Sequence, residues 1–279
     1  MKFWVVYPEE GWRQKWELFI ALLLLYTCCA TPYNIAFAPE VDTKETFWDY
    51  LDQEVIVDFF FFIDIVFNFF FAFYDSDYEM IDSKKEIARV YVKGWFSVDL
   101  LAIVPFDKLF AVQGYNGLAR ILRLPKIYKL IKITRLVRML KIVKERNKLV
   151  KYLSEILKIG VGFERLLFFI LLSLIICHIM ACFWIFAGRI HQGDRTLAQF
   201  CENQQPNWIC EKDFGDSSDV TLYFAAYYFT VTTITTVGYG DIAAYNTFER
   251  IICIILMITG VISFSFASGS LSSILSNYD

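Results

Sequence analysis

The chain has 279 residues, 27 Lys+Arg against 30 Asp+Glu and a net charge of −3, and it is 57% hydrophobic and 18% aromatic. So much apolar surface excludes disorder, 13 Gly and 6 Pro exclude a collagen-like or low-complexity chain, and the charge balance excludes a generally basic nucleic-acid binder. The length accommodates about six membrane helices of roughly 20 residues with short loops, so the placement of the charges decides the class.

Four stretches carry no charge at all: Leu18–Pro39, Leu166–Gly188, Val220–Gly240 and Ile251–Asn277, of 22, 23, 21 and 27 residues. These are bilayer lengths and predict an integral membrane protein. The N-terminus, MKFWVVYPEEGWRQKW, lacks the short apolar core and small-residue cleavage site of a signal peptide. Two further stretches are apolar but hold acids. Glu54–Tyr74 carries Asp58 and Asp64 among phenylalanines, and Val90–Phe106 carries Asp99 at its centre. An ionisable group within a span costs several kcal/mol unless it finds a partner, so these acids predict cations inside the bundle. Lys2, Arg13 and Lys15 precede the first span, and Lys84, Lys85 and Arg89 separate the second from the third. The loop between the first two spans and the loop from Arg189 to Asp219 are acidic. The positive-inside rule then puts both termini in the cytoplasm.

The cations come next along the chain. Arg120, Arg123, Lys126, Lys129, Lys132, Arg135, Arg138, Lys141 and Lys144 are nine basic residues at an unbroken spacing of three, with nearly every intervening residue apolar. An amphipathic surface helix would cluster its charges at i, i+3, i+4. A strict repeat of three makes a spiral on an α-helix and a straight row on a 3₁₀-helix, and either passes successive charges before one fixed acidic site as the helix slides. The ladder is about 36 Å long at the α-helical rise. Each charge moved through the field is worth about 2.3 kcal/mol per 100 mV. Pro125 removes one helix hydrogen bond near the outer end, where a helix start or kink is tolerable. Asp58, Asp64 and Asp99, with Glu54 and Asp107 nearer the span ends, are the acids such a helix would meet. Phe61, one turn before Asp64, either plugs that slot or packs against lipid.

Val220–Asp241 becomes threonine-rich and ends in Thr236-Val237-Gly238-Tyr239-Gly240-Asp241. The run resembles the potassium-channel filter motif. Carbonyls aimed at a dehydrated ion need unusual dihedrals, which Gly238 and Gly240 permit. One chain supplies one strand, so four are needed.

Four spans, the fourth basic, then a span, a re-entrant segment and a last span resemble the voltage-gated potassium channels. The closer match is to the branch of ether-à-go-go, plant inward-rectifying, hyperpolarisation-activated and cyclic-nucleotide-gated channels. It rests on Tyr26-Thr27, Thr31-Pro32-Tyr33, Ala36-Phe37, Asp64-Ile65, Asn68-Phe69, Gly94-Trp95-Phe96, Asp99-Leu100 and Ile103 with Pro105-Phe106-Asp107. The resemblance implies an all-α membrane fold of six transmembrane helices with a re-entrant pore helix, four copies forming a homotetramer or a heterotetramer with related subunits. It divides the chain into an N-terminal segment (1–15), a four-span voltage sensor (16–146), a linker (147–165) and a pore domain (166–279). It assigns Glu54, Asp58, Asp64 and Asp99 as counter-charges and Phe61 as the charge-transfer aromatic. Gly260 and Gly269 match hinge positions, with close helix packing as the alternative, and Phe264 and Ser268 would face the inner cavity. It further implies a cyclic-nucleotide-binding fold following residue 279 in the whole protein, the only source of a cofactor, with K⁺ as permeant ion and the plasma membrane as location. A weakly selective cation channel and a silent regulatory subunit are the competing readings.

Cys28, Cys29, Cys177, Cys182 and Cys253 lie in spans as packing residues, while Cys201 and Cys210 share the outer loop, where a disulfide is open to them. His178 reads as a hydrogen-bonded core residue. No nucleophile–base pair, metal cluster or phosphate loop supports an enzyme.

Overall fold

The computed structural model describes residues 5–37, 53–75, 79–104, 137, 161–190, 192, 196–202 and 206–276. The nine-charge basic ladder of residues 120–144 and Asp107 lie outside them. The described chain forms two compact units.

The first unit comprises residues 5–27, 53–75 and 79–104. Helix α1 (Gly11–Phe37) begins here and passes through Pro32 without ending. Helix α2 (Gln53–Asn68) has 16 residues, about 24 Å at the α-helical rise. An aromatic seam joins the two helices: Trp16 meets Phe67 edge-on at 5.0 Å, and Phe19 meets Phe60 at the same distance. Ahead of α1, Val6 pairs with Phe71 in an isolated parallel bridge. Arg13 bolts this junction together. Its guanidinium donates to the carbonyls of Val6 (3.1 Å) and Ala72 (2.8 Å), pairs with Glu17 at 3.0 Å and lies over the Phe71 ring. Arg13 is buried, so this cation is a structural staple and not a free loop charge.

After α2, strands β1 (Phe73–Tyr74) and β2 (Met80–Ile81) pair antiparallel, Phe73 opposite Ile81. This short hairpin departs from the all-α expectation. The expected third span, Val90–Phe106, is also not one helix. Helix α3 (Lys84–Lys93) begins earlier, the chain breaks at Gly94-Trp95, and helix α4 (Phe96–Ile103) follows. The break is backbone geometry: Gly94 takes φ −101° and ψ −107°, and a Cβ there would sit 3.1 Å from the Val90 carbonyl oxygen. Phe69, Tyr91 and Phe96 fill the corner edge-to-face.

The second unit comprises the end of α1 from Cys28 and the described residues from 161 on. Helix α5 (Val161–Arg189) and helix α9 (Thr247–Ser276) have 29 and 30 residues. Between them in sequence lie two short helices of the outer loop, α6 (Leu197–Glu202) and α7 (Trp208–Glu211), and helix α8 (Asp219–Ile234). Helices α5, α8 and α9 pack on one another. Among the described residues, three helices are long and apolar enough to cross a membrane: Gly11–Phe37, Phe169–Arg189 and Thr247–Phe266.

The core of this unit is an aromatic stack. Trp184 of α5 lies parallel to Trp208 at 5.5 Å and to Phe229 of α8 at 4.5 Å. Asn207 caps α7 by accepting from the amides of Ile209 (2.7 Å) and Cys210 (3.0 Å), and its own amide donates to the Gly188 carbonyl. Gly188 is what lets α7 approach. A Cβ there would stand 2.6 Å from Ile209 Cδ1 and 2.8 Å from Trp208 Nε1. Gly188→Ala is therefore expected to cost about 1–3 kcal/mol of overpacking, read as a lowered melting temperature of the detergent-solubilised protein. An unchanged melting temperature would mean that this approach does not need a glycine.

Candidate functional site

Ser218 starts α8 by accepting the Thr221 amide at 3.2 Å, and Asp219 in the first turn pairs with Arg189 at 2.8 Å. The threonines at the other end bond back onto their own helix: Thr232 and Thr233 donate to the Phe229 carbonyl (3.0 and 2.8 Å), and Thr235 donates to that of Val231 (2.7 Å). The chain then leaves the helix in an alternating conformation. Thr236 has φ +62°, Gly238 φ +54° and Gly240 φ +79°. The amides of Val237 and Gly238 both donate to the Thr232 carbonyl, at 2.9 and 3.1 Å. The first donors of the strand are thus turned toward the end of α8. Residues in the left-handed region at every second position change the direction of successive peptide planes.

The glycines were legible as the residues permitting this path, but Thr236 was not. A β-branched residue in the left-handed region costs on the order of 1–3 kcal/mol and persists only where its surroundings hold it. Val237 and Tyr239 are 53% and 72% exposed in the single chain. Tyr239 stacks parallel on Tyr228 at 6.4 Å, and the Tyr228 hydroxyl donates to Asp241. Behind the strand, a cavity of about 610 Å³ opens between Thr236, Tyr239 and the α9 residues Arg250, Met257 and Val261.

Helix α9 runs unbroken past the four residues singled out on it. Gly260 is packed closely, since a Cβ there would lie 3.0 Å from Ile234 Cα and 3.1 Å from its carbonyl oxygen at the end of α8. Gly269 has no such neighbour, and Phe264 and Ser268 are exposed. In the outer loop a disulfide joins Cys201 to Cys210, Cα atoms 5.1 Å apart. His178 is held between the Tyr223 hydroxyl and the Cys29 carbonyl, each 2.8 Å away.

In the first unit Asp58 and Asp64 of α2 lie on its inner stripe. Phe61 is fully buried and Asp64 is buried, Asp58 is half-buried, and Phe59 and Phe62 point outward at 58% and 56% exposure. Phe61 therefore faces protein rather than lipid. Asp64 accepts from Trp16 Nε1 (3.2 Å) and from the Asn68 side chain (3.1 Å). Asp99 of α4 is fully buried and accepts the Tyr91 hydroxyl at 2.7 Å. Tyr91 and Asp99 are eight residues apart, about 12 Å along an unbroken helix, and they meet because Gly94 breaks it. Sequence reasoning missed Trp16 and Tyr91 because each depends on a fold-level approach that spacing does not show, whereas Asn68 lies one helical turn beyond Asp64 on α2. Glu54 stands in the first turn of α2.

Among the described residues, no group of three or more His, Cys, Asp or Glu is placed to hold a metal ion.

The sequence profile of the ion transport protein family matches residues 13–277. The chain is 27% identical over 98% of its length to the voltage-gated inwardly rectifying potassium channel KCNH2 of Cavia porcellus, covering 21% of that protein. It is 28% identical over 94% of its length to the potassium voltage-gated channel unc-103 of Caenorhabditis elegans, covering 32% of it. Against the potassium channel KAT1 of Oryza sativa subsp. japonica it is 27% identical over 97% of its length, covering 35% of that relative. The chain thus spans a fifth to about a third of the length of these relatives. With a helical architecture, three membrane-length apolar helices and a family match over nearly every residue, the chain belongs to the ion transport protein family.

Proposed function

We propose that four copies of this chain form a voltage-gated potassium channel in the plasma membrane, both termini cytoplasmic, conducting K⁺ through a filter of Thr236, Val237, Gly238, Tyr239, Gly240 and Asp241. The observation that carries this reading is the alternation of left-handed φ at Thr236, Gly238 and Gly240. A row of aligned carbonyls replaces the hydration shell of a cation without any acidic ligand. The exposed Val237 and Tyr239 and the open cavity beside them support an assembly in which neighbouring copies complete the pore. The names of the relatives, each a potassium channel, support K⁺ over a weakly selective cation pathway.

Reversal potentials in mixed Na⁺ and K⁺ test the reading directly. They are expected to follow the K⁺ gradient, and values that do not follow it overturn K⁺ selectivity. Thr236→Ala, which removes a hydroxyl at the inner end of the row, is expected to lower K⁺ conductance several-fold.

In the same proposal, the basic residues Arg120 to Lys144 move past Asp58, Asp64 and Asp99, with Glu54 and Asp107 at the ends and Phe61 closing the slot between. The buried inner stripe of α2 supports this, because acids kept in a low-dielectric interior favour cationic partners. Moving three or four charges per subunit biases an opening equilibrium strongly. Neutralising Arg135 or Arg138 is expected to shift or flatten the conductance–voltage curve, and if neither does so the repeat does not read voltage. Tyr91→Phe removes one hydrogen bond to a charged group, about 1.5 kcal/mol. With three or four charges per subunit at about 2.3 kcal/mol per charge per 100 mV, the midpoint is expected to move by about 20 mV. Gly260 and Gly269 of α9, with Phe264 and Ser268, form the gate in this reading, Gly260 acting as a packing point against α8.

A further inference from the structure

Glu249 has no part in the conduction pathway described above, yet it is fully buried in the first turn of α9. Its Oε1 accepts the Trp208 amide at 3.2 Å, and its Oε2 accepts the Tyr245 amide at 2.9 Å. Its own amide donates to Asn246 Oδ1 at 2.9 Å, and the Asn246 side chain donates to the Pro206 carbonyl at 3.2 Å. The segment that leaves the filter, residues 241–246, is thereby tied to the outer loop at two points. The loop itself is anchored deep. Trp208 is fully buried, its Nε1 donates to the Trp184 carbonyl at 3.1 Å, and its ring stacks on Trp184, which in turn stacks on Phe229 of α8. The disulfide between Cys201 and Cys210 closes the loop from the other side.

Burying a carboxylate is costly even when it is well bonded, so a buried Glu is a poor choice for stability alone. What it offers is a single rigid group that reaches two backbone amides at once. Tyr245 is four residues beyond Asp241, at most about 14 Å of extended chain. A fixed Tyr245 amide therefore limits how far the outer end of the filter can drift.

We propose that Glu249 is a positioning residue for the outer end of the filter: its carboxylate bridges the amides of Tyr245 and Trp208 and holds the exit strand to the buried loop. The inference rests on the reading of this chain as a K⁺-conducting tetramer. Two perturbations test it in the full-length channel: Glu249→Gln, and replacement of the Tyr245 amide by an ester through its α-hydroxy-acid analogue, which deletes only the donor. The readouts are the Na⁺/K⁺ permeability ratio and the rate at which current decays during maintained opening, at low and at high external K⁺. They are taken from single-channel records so that only assembled tetramers count. Wild-type currents that fail to follow the K⁺ gradient refute the channel reading itself. With a selective wild type, each perturbation is expected to speed the decay by about tenfold, the scale of one hydrogen bond to a charged group. High external K⁺ is expected to slow it again, and the voltage midpoint to stay in place. If the channels become rarer while decay and permeability ratio remain those of the wild type, Glu249 only stabilises the fold and the proposal is overturned.

Discussion

A polar group carried into hydrocarbon has no water to bond with, so it must find its partner within the protein. This constraint organises both units. In the first, Asp64 takes the Trp16 indole and the Asn68 amide, and Asp99 takes the Tyr91 hydroxyl. In the second, the threonines at the end of α8 bond back to their own helix, and the amides of Val237 and Gly238 are received by the Thr232 carbonyl.

The same constraint explains the outer loop. Its helices are too short to hold a shape by themselves, and they are fixed by burial of Trp208 and Ile209 under Gly188 and by the amide bonds to Asn207 and Glu249. A small residue where two helices touch, an indole with a carbonyl for its N–H, and a carboxylate with two amides are three solutions to one problem. They place the loop, Tyr245-Asn246 and the first turn of α9 in a single bonded group.

Much of the candidate site was open to reading along the chain, because charge and conformational permissiveness are properties of residue types. Charge-free runs marked α1, α5, α8 and α9, and acids inside apolar runs marked Asp58, Asp64 and Asp99. Glycines marked Gly238 and Gly240. Phe61 was ambiguous between lipid and interior. Only the packing of α2, with Phe59 and Phe62 turned outward, buries it. Gly260 reads by sequence as a hinge or a close contact, and a Cβ there would lie 3.0 Å from Ile234 Cα.

What the chain shows by itself is which segments are apolar and which residues bring charge into them, since hydropathy and charge are local. What tertiary structure decided is how those segments bend and meet. Gly94 splits the expected third span into α3 and α4, and the corner brings Tyr91 to Asp99. Thr236 adopts a left-handed dihedral that its residue type disfavours, because the end of α8 receives the amides that follow it. Arg13, counted as a loop charge, is buried against two carbonyls, and Glu249 is buried between two amides from distant parts of the chain. For Thr236, Arg13 and Glu249 the deciding partner is a backbone group, and backbone groups are identical at every position, so no residue pattern announces them.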